Sequence, residues 1–150
     1  MTGSIESASV EEPRILFCGL NWVGDSIMAM PALQAYHRRN PGHRVVALVK
    51  PSVAPLWAMH TMVEEVILLE PGARGVWRSA KMLRLASFAT TYILPHSFRS
   101  ALPPFLAGIP RRIGLPSWGR DWMLTDVRRP QCGEERNHQA FEYLDFFCPN

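Results

Sequence analysis

The sequence predicts an α/β fold in which a parallel sheet is covered by helices on both faces. Three observations carry this expectation. Short apolar runs stop at glycine, proline or a charged residue, stretches with helical spacing follow them, and the two kinds of segment alternate along most of the chain.

The first run, Arg14 to Cys18 (RILFC), ends at Gly19, and the spacing of Ile27, Met30, Leu33 and Ala35 predicts a helix from Asp25 to Arg39. Asp25 or Ser26 is suited to cap that helix by accepting an amide hydrogen of its first turn. Pro41 and Gly42 close the unit. Arg44 to Lys50 (RVVALVK) reads as the second strand, and Pro51 opens a short helix through Trp57 and Met59. Glu65 to Leu69 is the third strand, Gly72 to Gly75 a turn, Val76 to Ala86 an amphipathic helix with basic residues on one side, and Thr91 to Pro95 the fourth strand. A helix from Phe98 towards Ala107, a short strand over Pro110 to Gly114 and a closing helix over Glu134 to Phe147 complete the reading.

At 150 residues, 47% hydrophobic and 19% charged, the chain has the material for one compact domain. Residues 1–12, rich in Ser and Glu, predict a disordered tail without a secretory pattern, and residues 13–150 predict a single Rossmann-like domain. No apolar run reaches the roughly 18 residues of a membrane-spanning helix. Cys18, Cys132 and Cys148 are widely spaced and lack a Cys-x-x-Cys pattern, so reduced structural thiols are expected instead of a disulfide framework or a zinc site. The net charge of +3, with Arg outnumbering Lys, suits anionic partners. Nucleic acid is not expected among them, because no basic helix run, zinc-finger spacing or aromatic RNA-binding strand is present. Trp22, Trp57, Trp77, Trp118 and Trp122 are mostly core candidates, although Trp22 lies in a loop and is available to stack on a sugar ring.

In open parallel sheets ligands gather at the carboxyl ends of the strands, which singles out the loops after the first and fourth strands. The first reads Gly19-Leu20-Asn21-Trp22-Val23-Gly24-Asp25 and lacks both the phosphate-binding P-loop ending and the dinucleotide glycine spacing. Asp25 has two compatible readings, a helix cap or a general base that takes a proton from an attacking hydroxyl. The second loop, Leu94-Pro95-His96-Ser97-Phe98-Arg99-Ser100-Ala101, sets hydroxyls and a guanidinium at a helix start, as an anion or sugar-phosphate cradle requires; a capped helix with a solvated arginine is the alternative. His96 is either a proton shuttle or an ordinary hydrogen-bonded residue. Arg111, Arg112, Arg120, Arg128 and Arg129 are available to a phosphorylated ligand or an anionic membrane surface, or belong to solvated surface.

The stretch Asn21-Trp22-Val23-Gly24-Asp25-Ser26-Ile27-Met28 with Pro31 resembles the opening signature of the bacterial heptosyltransferases. Leu94 to Leu102, followed by Phe105-Leu106-Ala107-Gly108-Ile109-Pro110-Arg111-Arg112-Ile113-Gly114, is similar to a block of the ADP-heptose:lipopolysaccharide heptosyltransferases of type II, with His96 in place of an expected Asn. The resemblance runs from about Arg14 to the end. It implies the amino-terminal half of an inverting GT-B glycosyltransferase, cytoplasmic and peripheral at the inner membrane, that moves heptose from ADP-heptose to a lipid-linked inner-core oligosaccharide. By it, Asp25 is the catalytic base, Trp22, Gly24, Ser97, Arg99, Ser100 and Arg112 face the acceptor, and no cofactor or metal is needed. It also implies that the donor-binding domain lies beyond Asn150, so that this chain alone transfers no sugar. Types I and III of the family, or a non-catalytic acceptor-binding module, are the alternatives.

Overall fold

The computed structural model describes residues 13–129 and 139–149. The tail expected over residues 1–12, Cys132 and the first turn of the helix expected from Glu134 lie outside the described residues. Within them, six strands form one wholly parallel sheet: β1 (Arg14–Cys18), β2 (Arg44–Val49), β3 (Val63–Leu68), β4 (Thr90–Ile93), β5 (Arg111–Gly114) and β6 (Asp126–Val127). Their spatial order is β3-β2-β1-β4-β5-β6. Five helices accompany them: α1 (Val23–Arg39), α2 (Ala54–Ala58), α3 (Gly72–Ala86), α4 (Phe98–Leu106) and α5 (Gln139–Phe147).

The order follows from the sequence pattern. β1 and β2 are buried on both faces, which is why they read as unbroken apolar runs, and they pair in register from Arg14 with Arg44 to Cys18 with Leu48. Alternate side chains feed two cores. Phe17, Val45, Ala47, Tyr92 and Ile113 meet Leu33 and Tyr36 of α1 and Phe146 and Phe147 of α5 on one face. Leu16, Val46, Leu48, Ile67 and Ile93 meet Val76 and Leu83 of α3 and Ala101 of α4 on the other. The edge strand β3 exposes Glu64 and Glu65, which pair with Arg44 at 2.7 Å and Arg14 at 3.1 Å; charge on that edge discourages pairing with another chain.

Four expectations are corrected. Neither Asp25 nor Ser26 caps α1: the capping position is Trp22, without a side-chain hydrogen bond, and Ser26 instead donates to the Leu20 carbonyl at 3.4 Å. Gly72 to Gly75 is not a turn, because α3 already starts at Gly72. Gly75 is buried so tightly that a Cβ there would lie 1.9 Å from the Glu70 carbonyl oxygen, so this glycine serves helix packing. Of the tryptophans placed in the core, only Trp57 is buried; Trp77, Trp118 and Trp122 are exposed. Arg120, read as a phosphate ligand or solvated residue, is wholly enclosed. Cys18 and Cys148 are free and buried.

Candidate functional site

Strand order reverses at β1: the chain leaves it towards β2 and β3 on one side, and β4 to β6 lie on the other. Where β1 and β4 end side by side, Cys18 beside Ile93, the loops diverge and leave an opening at the carboxyl edge of the sheet. A cleft of about 140 Å³ occupies this edge. Cys18 from β1, Gly19 and Asn21 from the following loop, Lys50 just after β2, and Ser97 and Arg99 from the start of α4 all line it.

The cleft is basic. Lys50 is exposed, its side chain makes no hydrogen bond or ion pair among the described residues, and no carboxylate lines the cavity. Arg99 is partly buried and donates to the backbone carbonyl of Glu70, which fixes the root of its guanidinium and leaves its other donors for a ligand. Two cations in a cavity that no carboxylate lines, one of them in the first turn of α4, favour an oxyanion. The thiol at the floor contributes no nucleophile: burial pushes Cys18 up to about 12, against a smaller opposing effect of its 3.7 Å contact with Thr91.

Asp25 lies at the third position of α1, on the same edge, partly exposed, and its oxygens take no hydrogen bond among the described residues. Its charge reaches Tyr143 of α5. That phenol is pushed up to about 12, first by burial and then by the negative charges of Asp25 and Glu142. A carboxylate in the first turn of a helix, without a hydrogen-bond partner among the described residues, is open to an incoming hydroxyl. Trp22, the residue before α1, is 74% exposed, and a Cβ on Gly24 would meet nothing within 4 Å, so the turn that leads into α1 is open.

The second loop divides. Ser97 is exposed and is the side chain that caps α4, accepting from the Ser100 amide at 3.3 Å; Arg99 turns into the cleft. Ser100, expected to face the acceptor, borders the cleft but is buried, and its hydroxyl donates to the Ser97 carbonyl at 2.7 Å and accepts from Arg120. Arg112, also expected to face the acceptor, is placed away from the cleft. It sits at the opposite end of β5, donates to the carbonyls of Met123 and Ile109, and lies over the Phe105 ring at 5.4 Å, so its charge is spent on the fold. His96 is exposed, and its carbonyl accepts from Ser117 at 2.8 Å.

Lys50 and Asn21 were not singled out by the sequence. Lys50 carried a signal nonetheless: in a parallel sheet the first residue after a buried strand emerges on the same edge as the end of its neighbour, here Gly19.

The six-stranded parallel sheet with its flanking helices matches the GT-B fold of the heptosyltransferases. At 29% identity, the structure of Escherichia coli ADP-heptose lipopolysaccharide heptosyltransferase II superposes with a TM-score of 0.78, over 89% of this chain and 40% of that one. The chain resembles lipopolysaccharide heptosyltransferase 2 of Escherichia coli, 35% identical over 120 residues, and the same protein of Salmonella typhimurium, 33% identical over 122 residues. Each alignment covers 77% of this chain and 34% of the relative, so the chain spans about a third of the length of these relatives. No protein-family model matches it.

Proposed function

We propose that residues 13–150 are the acceptor-side domain of a heptosyltransferase acting on the inner core of lipopolysaccharide, with Asp25 as its base. The acceptor hydroxyl loses its proton to Asp25 as its oxygen attacks the anomeric carbon of the sugar; the bond to the diphosphate breaks, and ADP departs with the bonding electrons. Attack from the face opposite the leaving group inverts the anomeric centre. No covalent sugar intermediate is required, consistent with the high pKa of the Cys18 thiol. Lys50 and Arg99, with Ser97 and Asn21 beside them, hold an anionic group of the acceptor, and Trp22 offers an aromatic face to a sugar ring. The ADP part of the donor belongs to a second Rossmann-like domain, and without it base and acceptor have no activated sugar to meet. The setting is cytoplasmic, at the inner face of the membrane that carries the acceptor lipid.

The observation that carries this reading is the Asp25 carboxylate, partly exposed and without a hydrogen-bond partner among the described residues, on the sheet edge where the cleft opens. The test combines the chain with the carboxyl-terminal portion of a related heptosyltransferase, ADP-heptose and a core acceptor, and follows ADP release. Asp25→Asn is expected to lower turnover by roughly a hundredfold or more while acceptor binding persists. Lys50→Ala is expected to raise KM for the acceptor with little change in kcat. Turnover by Asp25→Asn near that of the unchanged chain removes the base assignment, and acceptor binding without any ADP release leaves a binding module.

A further inference from the structure

We infer that the outer face of α3 docks on an anionic phospholipid surface. The inner face of this helix, Gly75, Val76, Ser79, Ala80 and Leu83, is buried against the sheet and α4, and Ser79 donates to the Leu68 carbonyl at 3.3 Å, so the rotation of the helix is fixed. What it turns outward is unlike an ordinary solvated face. Trp77 is 68% exposed, Leu85 79% and Met82 45%. Around them stand Arg74, Arg78, Lys81 and Arg84, and the helix contains no acidic residue.

Trp77, Lys81 and Leu85 follow one another at four-residue intervals and form a single stripe. A groove of about 390 Å³ runs beside it, floored by Ala80 and Leu106 and rimmed by Trp77, Arg78, Lys81 and Arg84. Arg78 is engaged with Glu70 at 2.9 Å, whereas Arg74, Lys81 and Arg84 make no ion pair among the described residues.

Charge and apolarity together select the occupant. An exposed indole flanked by aliphatic side chains gains by entering the boundary between headgroups and acyl chains, and cations at the same level gain from lipid phosphates. A purely apolar protein groove would leave the three free cations desolvated, and a purely acidic one would leave Trp77 and Leu85 without apolar contact. The placement suits the cleft. The amino end of α3 adjoins Glu70, whose carbonyl holds Arg99, so a bilayer under α3 runs beside the cleft lined by Arg99 and Lys50. No helix of the described residues is long and apolar enough to cross a membrane, so the contact is peripheral.

Cosedimentation of the chain with vesicles tests this independently of any sugar transfer. Binding is expected to vesicles of equal parts phosphatidylcholine and phosphatidylglycerol, to weaken as salt is added, and to be absent with phosphatidylcholine alone. Lys81→Glu with Arg84→Glu is expected to lower the partition coefficient more than tenfold, Trp77→Ser with Leu85→Ser likewise, and Arg38→Glu, on α1, to leave it within twofold. Circular dichroism confirms that each surface variant is folded. Equal binding by the α3 variants, an equal loss in Arg38→Glu, or no binding to either vesicle overturns the inference, the last result leaving a protein surface as the remaining occupant.

Discussion

Arg120 donates a hydrogen bond to the carbonyl of Pro95, two residues beyond β4 in the loop that leads through Ser97 to α4 and Arg99. The same guanidinium reaches the Ser97 carbonyl and Ser100 hydroxyl at 3.3 Å and the Leu115 carbonyl at 2.9 Å. An arginine taken out of solvent and spent on backbone oxygens is a clamp: it ties the segment after β5 to the loop beside the cleft. Burial lowers its pKa, the expected cost of enclosing a cation.

Replacing Arg120 by Met removes the donors, leaves the Leu115 carbonyl unpaired and leaves the Pro95 carbonyl with only the Ser100 hydroxyl at 3.2 Å, at a cost of roughly 2–4 kcal/mol in unfolding free energy. Arg120→Lys recovers only part of this, since one ammonium does not span both sides of the fork. Urea unfolding of the two variants measures the difference, and a loss below about 0.5 kcal/mol for the Met variant contradicts the clamp.

A second tight contact lies one element away. Gly75→Ala sets a methyl group against the Glu70 carbonyl, which also accepts from Arg99. The backbone has to move, so the usual gain of alanine over glycine inside a helix, about 1 kcal/mol, is expected to reverse into a net loss. A stabilised Gly75→Ala chain in thermal unfolding rules out the close approach.

These two residues also show what the sequence discloses and what it hides. β1, β2 and β4 were legible because a strand buried on both faces must be apolar along its length, and the helices followed from spacing. Asp25 was legible as a residue at the mouth of a helix, although its place at the third position, without a cap, was not. Arg120 was misread because its partner Pro95 comes from another segment of the chain, and Gly75 because its contact with the Glu70 carbonyl depends on how the chain folds back between β3 and α3; local pattern assigns a lone arginine to solvent and a glycine to a turn. Lys50 was passed over for the same reason, since its meaning depends on Arg99 arriving from another loop. β6, two residues long with an aspartate in it, has no periodicity to detect.

The buried thiols provide a chemical check on the core. Desolvation pushes Cys18 up to about 12 and raises Cys148, so both stay protonated and enclosed at pH 8. Native chain treated with iodoacetamide is expected to leave both peptides unlabelled by mass spectrometry, and denatured chain to label them fully. Labelling of Cys18 at the rate of a free thiol disproves its burial under the cleft.

His60 makes stability depend on pH in a definite direction. Burial lowers its pKa below the ordinary value of 6.5, and its geometry agrees: Nδ1 accepts from the Met62 amide at 3.3 Å, while Nε2 is buried without a hydrogen bond. A second proton would turn the accepting nitrogen into a donor aimed at a donor. Between the folded pKa and 6.5 the unfolded chain therefore binds more protons than the folded one, and stability rises with pH across that window. Above about pH 7 both states are neutral and the contribution is complete; as pH falls through 6.5 it is progressively lost. Urea midpoints for the unchanged chain are expected to fall from pH 7 to pH 5, and His60→Gln, which retains an acceptor, is expected to flatten that slope. An identical pH profile in the variant would mean that another group carries the dependence.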